Sequence, residues 1–367
     1  MKIITIIGAR PQFIKAASVS RAIAEHNRLT EVIIHTGQHF DVNMSDVFFK
    51  ELNIPKQNYS LGINSASHGA MTGRMLEKIE EILVKEKPDS VFVYGDTNST
   101  LAGALAAVKL HVPIAHVEAG LRSFNRKMPE EHNRVLTDHC ADILFCPTKR
   151  AVENLKTEGI TSSAQHLTSS SAKELPRTVA RVGDTMYDAV LQFSEIAQRQ
   201  STILEDLGIK PKEYLLATVH RPYNTDIPEN LQSILSAFLE INEPIIFPLH
   251  PRTRNRLAGL KLKTSNLKLI SPVGYLDMLM LEQNAKAILT DSGGMQKEAY
   301  FFGVPCVTMR TETEWIETVE AGWNVVVGAD RAKIIEAVRC LKSDNPRPKI
   351  YGDGRAGERI ASIVSCK

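Results

Sequence analysis

Short apolar runs separated by longer amphipathic stretches alternate along almost the whole chain. In the first half the runs Lys2–Ile7, Glu31–Thr36, Ser90–Tyr94, Val112–His116 and Asp142–Phe145 read as strands. Pro113 makes the fourth the weakest, because proline is confined to strand starts and edges. Helical spacing fits Phe13–Glu25, Gly69–Lys85, Ser99–Lys109 and Glu130–Cys140. Within Ala70–Val84, Met71, Met75, Ile79 and Leu83 recur four apart, one apolar stripe on an amphipathic helix. The pattern fails over 161–178, rich in Ser, Thr, Ala and Lys with Pro176 and no apolar period, so an exposed loop is expected there. It resumes with strands at Tyr214–Val219, Pro244–Pro248, Leu267–Ser271, Ala285–Thr290 and Pro305–Met309. Helices fit Ile227–Ile241, Leu276–Gln283, Gly294–Phe302, Arg331–Leu341 and Ala356–Val364.

Strands alternating with helices predict parallel sheets of the α/β class. Two similar halves predict two Rossmann-like domains facing a central cleft, over residues 1–182 and 183–367, with the crossing near 180–186. The final helix is free to pack back on the N-terminal domain. A chain of 367 residues is long enough for each half to bury its own core. The net charge of +2 supplies no global basic field, so a nucleic-acid partner is not expected. No apolar stretch approaches the roughly 20 residues of a membrane span. The opening Met1–Gly8 run is too short for a signal peptide, so the expected location is cytoplasmic, without a membrane partner. The five cysteines show no CxxC pairing, which suits buried thiols in a reducing compartment and argues against structural zinc.

The chemistry concentrates at expected strand ends, where open parallel sheets bind ligands. Asp96 in Gly95-Asp96-Thr97 and Glu118 in Val117-Glu118-Ala119-Gly120 each follow an apolar run, and Glu130 opens a helix. Carboxylates gathered there with His220 of His220-Arg221 point to proton transfer. Gly8-Ala9-Arg10-Pro11 follows the first strand, and Arg10 and Lys15 bring cations to a helix N-terminus that favours phosphate. Asp291-Ser292-Gly293-Gly294 follows another strand and suits a diphosphate, with Glu298 one turn on for ribose hydroxyls. Arg221 and His250 are further phosphate or sugar contacts, and Gln38-His39 completes the polar lining. Gly352-Asp353-Gly354-Arg355-Ala356-Gly357 satisfies GxGxxG but follows no convincing strand, so it is read as a turn and implies no NAD.

Taken in order, these motifs resemble the non-hydrolysing UDP-N-acetylglucosamine 2-epimerases, adding His116-Val117-Glu118-Ala119-Gly120-Leu121-Arg122, Pro129-Glu130-Glu131 with Asn133-Arg134, and Gln296. The resemblance implies a GT-B-like architecture with the nucleotide held mainly by the C-terminal domain. It implies an isomerase that needs neither NAD nor metal, interconverting UDP-GlcNAc and UDP-ManNAc for surface polysaccharide synthesis, and a homodimer is expected. The implied route is anti elimination of UDP to a 2-acetamidoglucal, then syn re-addition with protonation of the opposite face. By position, Asp96, Glu118, Glu130 and His220 carry the proton transfers. Arg10, Lys15, Gln38, Arg134, Arg221, His250, Ser292, Gly293, Gly294 and Glu298 hold the UDP-sugar.

Several positions depart from that family. Gln38-His39 is followed by Phe40-Asp41-Val42-Asn43-Met44 rather than Arg-Glu and a Leu-rich run, which removes support for allosteric activation by substrate. Gln12 replaces a common Glu, and Trp315-Ile316 stands where Arg-Pro is usual. These changes resemble the branch acting on UDP-2,3-diacetamido-2,3-dideoxy-glucuronate, whose carboxylate needs a cation from Arg74, Arg122 or Lys127. A GT-B glycosyltransferase shares the expected fold and UDP site and is the competing function, with an inactive UDP-sugar-binding protein behind it. Three acids in the first domain favour the epimerase.

Overall fold

The uninterrupted apolar runs become parallel strands buried on both faces, as the helices of βα units require. A computed structural model describes residues 1–38, 56–64, 67–162, 177–257, 266–341 and 345–366. The chain divides into two units, Met1–Leu191 with Lys349–Lys367 and Gln192–Pro348. The division falls inside the helix Thr185–Gln200 rather than at the 180–186 turn.

The first unit holds a seven-stranded parallel sheet in the order β3-β2-β1-β4-β5-β6-β7. Its strands are β1 (Lys2–Ile7), β2 (Thr30–His35), β3 (Tyr59–Ser60), β4 (Ser90–Tyr94), β5 (Ile114–Val117), β6 (Ile143–Cys146) and β7 (Thr178–Arg181). β5 starts one residue past Pro113, which has no N–H for the ladder but whose carbonyl accepts from Val91 N at 2.8 Å. The order reverses between β1 and β4, which pair from Ile3↔Ser90 to Ile6↔Val93. That switch point opens a crevice at the carboxyl ends of the strands. The closing helix Ala356–Ser365 belongs to this unit, and Gly357 lies so close to Ser18 that an added Cβ would stand 2.7 Å from its carbonyl oxygen. Residues 345–355 contain no strand, so the GxGxxG run is a turn leading into that helix. Most of the 161–178 segment lies outside the described residues.

The second unit holds a six-stranded parallel sheet in the order β10-β9-β8-β11-β12-β13. Here β8 is Leu215–Thr218, β9 Ile245–Pro248, β10 Leu267–Ile270, β11 Ala287–Thr290, β12 Cys306–Thr308 and β13 Asn324–Val326. Leu215, Ala217, Phe247 and Leu289 pack on one face and Leu216, Ile246, Ile288 and Ala299 on the other. The switch point lies between β8 and β11, where Thr218 pairs with Thr290. No helix among the described residues is long and apolar enough to cross a membrane.

Candidate active site

In the first unit three strand ends carry the polar residues. Gly8 follows β1 and must be glycine for space, since a Cβ would stand 2.0 Å from Thr36 Oγ1 and 2.4 Å from Ser99 Oγ. The Gln12 side chain accepts from Gly8 N at 2.8 Å and Ala9 N at 3.0 Å. It also donates to the Tyr94 carbonyl at 2.9 Å and Thr100 Oγ1 at 3.0 Å. Gln12 therefore pins the β1 turn to the end of β4, a task that needs both an acceptor and a donor. The turn's own amides are occupied by Gln12, so these two do not greet a phosphate. The Arg10 side chain lies outside the described residues, as do His39 and residues 40–44.

Lys15 sits on the first turns of the helix Arg10–Ala24, and its Nζ stands 2.5 Å from Glu118 Oε1 in a buried pair. Glu118, just past β5, adopts a left-handed backbone with φ +71°. A glutamate in that region is strained and is held by the surrounding structure, a pattern that concentrates at functional sites. Its N–H and that of Ala119 both donate to the Phe145 carbonyl, at 3.1 and 3.0 Å. Asp96, at the end of β4, is partly exposed and forms an ion pair with the buried Arg134. Arg134 also donates to Glu131 Oε2 at 2.7 Å.

Glu130 and Glu131 open the helix Pro129–Cys140 but do different work. Glu131 is buried and accepts from Ser123 N, Ser123 Oγ, Phe124 N and Arg134, at 2.7 to 2.9 Å. Burial alone would raise its carboxyl, but the Ser123 amide and the Arg134 charge outweigh it and hold it below the ordinary value. Glu130 is half-buried at the same helix start. Gln38, expected on the sugar, accepts from Ser99 N at 3.1 Å and Ser99 Oγ at 2.8 Å and so caps the helix Asn98–Lys109.

Arg122 is corrected as a uronate contact. It is buried, donates to Asp138 Oδ2 at 2.7 Å and forks onto both oxygens of Glu158 at 2.7 Å. Asp138 also meets His116 Nδ1 at 2.7 Å, while His116 Nε2 bonds the Gly95 carbonyl at 2.8 Å. Burial would raise the Asp138 carboxyl, but the His116 and Arg122 charges prevail and hold it low. This network fixes Gly95, the residue before Asp96. Sequence reading missed Asp138, whose partners His116 and Arg122 lie 22 and 16 residues away. It also missed Glu131, whose partners Ser123, Phe124 and Arg134 are near in sequence but meet it only through the turn before its helix.

In the second unit His220 stands two residues past the end of β8, and Asp291 directly follows β11. Asp291 is buried and accepts from His220 N, Arg221 N and Asn224 Nδ2 at 2.9 to 3.1 Å. Its Oδ1 stands 3.2 Å from His220 Nδ1. The imidazole is thereby oriented by a carboxylate, and its ring stands 5.6 Å from that of His250. Ser292 is the N-cap of the helix Gly293–Phe302, its hydroxyl accepting from Met295 N at 3.5 Å. Gly293 leaves room for Glu314, whose Oε1 would be 2.8 Å from an added Cβ. Glu298 is buried and accepts from Tyr275 Oη at 3.3 Å. Lys297 is buried with its ammonium 4.2 Å from the centre of the Trp315 ring. Trp315 offers the Lys297 ammonium an aromatic face. Asp291 opens the Asp-Ser-Gly-Gly run, whose sequence signal points to its neighbours Ser292, Gly293 and Gly294 as the ligand contacts. Among the described residues no group of three or more His, Cys, Asp or Glu side chains is placed to hold a metal.

Residues 21–365 match the family model described as UDP-N-acetylglucosamine 2-epimerase. The chain is 54% identical over 371 residues to the UDP-2,3-diacetamido-2,3-dideoxy-D-glucuronate 2-epimerase of Pseudomonas aeruginosa, covering 100% of this chain and 99% of that protein. It is 46% identical over 377 residues to the UDP-N-acetylglucosamine 2-epimerase of Methanocaldococcus jannaschii, with the same coverage. The crystal structure of UDP-GlcNAc 2-epimerase from that organism in complex with UDP-GlcNAc and UDP superposes with a TM-score of 0.89 at 45% identity, covering 100% of both chains. The Neisseria meningitidis UDP-GlcNAc 2-epimerase bound to UDP-GlcNAc also gives 0.89, at 31% identity and 100% of both chains. Two parallel α/β sheets on one chain are the GT-B-like fold of these neighbours. The chain belongs to the UDP-N-acetylglucosamine 2-epimerase family of isomerases.

Proposed function

We propose that the protein inverts C2 of a UDP-2-acetamido sugar, in the simplest case interconverting UDP-GlcNAc and UDP-ManNAc as a precursor step for surface polysaccharide. The C2 proton passes to a carboxylate while the C1–O bond to UDP breaks, giving a bound 2-acetamidoglucal. UDP then re-adds at C1 as a proton reaches C2 from the opposite face. The observation that carries this reading is the set of carboxylates at the β4 and β5 ends and the neighbouring helix start, Asp96, Glu118 and Glu130. Arg134 and Lys15 pair with Asp96 and Glu118 respectively and hold them in place. His220, oriented by Asp291, assists proton transfer or departure of UDP, and Ser292, Gly293, Gly294 and Glu298 take the nucleotide with Arg10. His250 and Arg221 complete that set.

A second substrate is the diacetamido-glucuronate, with 54% identity to the enzyme named for it. Identity is 56% to a Methanococcus maripaludis protein named a UDP-N-acetylglucosamine 2-epimerase homolog and 46% to the Methanocaldococcus jannaschii UDP-GlcNAc enzyme, so identity alone does not rank the two sugars. The test is an NMR time course in D2O with UDP-GlcNAc and with UDP-2,3-diacetamido-2,3-dideoxy-glucuronate. Solvent deuterium is expected at C2 of both epimers, with free UDP a minor product. Sugar transfer to an acceptor without deuterium entry would reassign the protein as a glycosyltransferase.

A further inference from the structure

A cavity of about 510 Å³ in the first unit stands beside the proposed acids. It lies where three helices begin, His68–Glu86, Asn98–Lys109 and Pro129–Cys140. Asn133 lines it and donates to the backbone carbonyl of Asp96 at 2.9 Å, and Pro129, the residue before Glu130, forms another part of the wall. Asp96 is thus one hydrogen bond, and Glu130 one residue along the chain, from the wall of this space.

The charge of the wall is unlike that of the acids next to it. None of the described residues lining the cavity is acidic, whereas Lys127, His68 and His132 all line it. Lys127 is exposed, and its backbone N–H donates to Asn125 Oδ1 at 3.0 Å, which holds the base of the side chain. His68 Nδ1 lies 3.2 Å from Asn98 Nδ2, an amide that can only donate, so the ring proton belongs on Nε2. His132 Nε2 lies 2.8 Å from the Arg126 carbonyl, which can only accept, so that nitrogen carries a proton. Asn98 is itself buried and receives Asn133 Nδ2 on its Oδ1 at 3.2 Å, so the amides of the wall are held in fixed orientations. An open depression with one ammonium, two imidazoles and helix N-termini, all three of those side chains exposed, and with no carboxylate among its described lining residues, complements an anion.

The geometry points to a subsite for the sugar carboxylate of a UDP-uronate, with Lys127 as the cation that distinguishes it from a neutral hexose. This rests on the epimerase reading and deepens it: the acids invert C2, and the adjacent cavity selects a substrate whose sugar is itself anionic. Of the three cations open from sequence, Arg122 is consumed by Asp138 and Glu158, and Arg74 is not part of the wall. A neutral hydroxymethyl group would leave the Lys127 charge uncompensated, and a carboxylate would gain a charge-assisted bond.

The test compares two nucleotide sugars that differ only at C6, UDP-2,3-diacetamido-2,3-dideoxy-glucuronate and the corresponding UDP-2,3-diacetamido-2,3-dideoxy-glucose. Calorimetry on the wild type is expected to show tighter binding of the uronate. In Lys127→Met that preference should fall by about two- to fivefold, the worth of an ion pair made by an exposed ammonium, and Lys127→Arg should restore most of it. An unchanged preference in Lys127→Met, or no preference in the wild type, overturns the subsite. Failure of the epimerase reading is visible separately, as absence of C2 deuterium from either sugar in D2O.

Discussion

Lys15 Nζ and Glu118 Oε1 are 2.5 Å apart in a buried pair that joins the helix after β1 to the loop after β5. Glu118 reaches this position with a left-handed backbone, so the strand end, the strain and the lysine together fix one carboxylate. A buried pair gains little over an apolar substitute, but loss of one partner leaves a charge stranded. Lys15→Met should therefore destabilise the protein by about 3–5 kcal/mol, read by urea unfolding. Glu118→Gln keeps shape and hydrogen bonding while removing the proton acceptor. Its turnover should fall roughly 10²–10⁴-fold with UDP affinity, measured calorimetrically, little changed. A near-wild-type rate would reduce Glu118 to a turn residue.

Gln12 offers a test of the departure from the family's common Glu. Its amide nitrogen donates to the Tyr94 carbonyl and to Thr100 Oγ1, and no carboxylate can do this at neutral pH. Gln12→Glu should keep the bonds from Gly8 and Ala9 yet face Tyr94 oxygen to oxygen, at a cost of about 1–3 kcal/mol. The loss should shrink below pH 4, where the new carboxyl can protonate and donate. Equal stability of variant and wild type at pH 7 would show that the β1 turn tolerates either residue.

Asp188 gives a pH-dependent prediction in the other direction. Burial pushes its carboxyl up to about 6, aided by Asp184 and Asp353, although the Gly357 and Ala356 amides oppose the shift. A folded value above the ordinary 3.8 contributes stability that is full below 3.8 and is lost as pH rises through about 6. Asp188→Asn stays neutral throughout. Its unfolding free energy should match the wild type near pH 3.5, exceed it increasingly through about pH 6 and then level off, by a margin on the order of 2–3 kcal/mol read from urea unfolding at each pH. A difference independent of pH would mean the carboxyl is not held protonated.

The elements legible in the sequence were those with unbroken apolar runs or a clear helical stripe. Lys2–Ile7 and Ser90–Tyr94 are strands over the residues expected, because both faces are buried and every position is constrained. Edge strands β3, β7 and β13 escaped notice, since they are two to four residues long and partly exposed. So did the helix Lys149–Thr157, whose buried positions are only Ala151 and Leu155. The acids at the strand ends could be found because strand ends bind ligands. What could not be found were partners distant in sequence: Glu118 with Lys15, Asp138 with His116 and Arg122, Asp291 with His220. Such pairs are set by strand order, and strand order is not written in local periodicity. Arg122 shows the consequence, since only the fold reveals that its charge is already spent.

Asp291 is where the second unit's chemistry can be tested without touching a group that meets substrate. Its carboxylate accepts from three donors on the loop after β8 and stands beside His220 Nδ1. An amide in its place would turn a donor toward donors, and each buried donor left without an acceptor costs about 1–3 kcal/mol. Asp291→Asn should therefore loosen the loop and release the His220 ring, lowering turnover while the proposed UDP contacts at Ser292 and Glu298 are left in place. His220→Asn in the same background should then cost much less than it does alone, because the two residues act as one unit. Rates of wild type, both single variants and the double variant close the cycle. Strictly additive losses would show that Asp291 supports the fold of the loop and has no share in what His220 does.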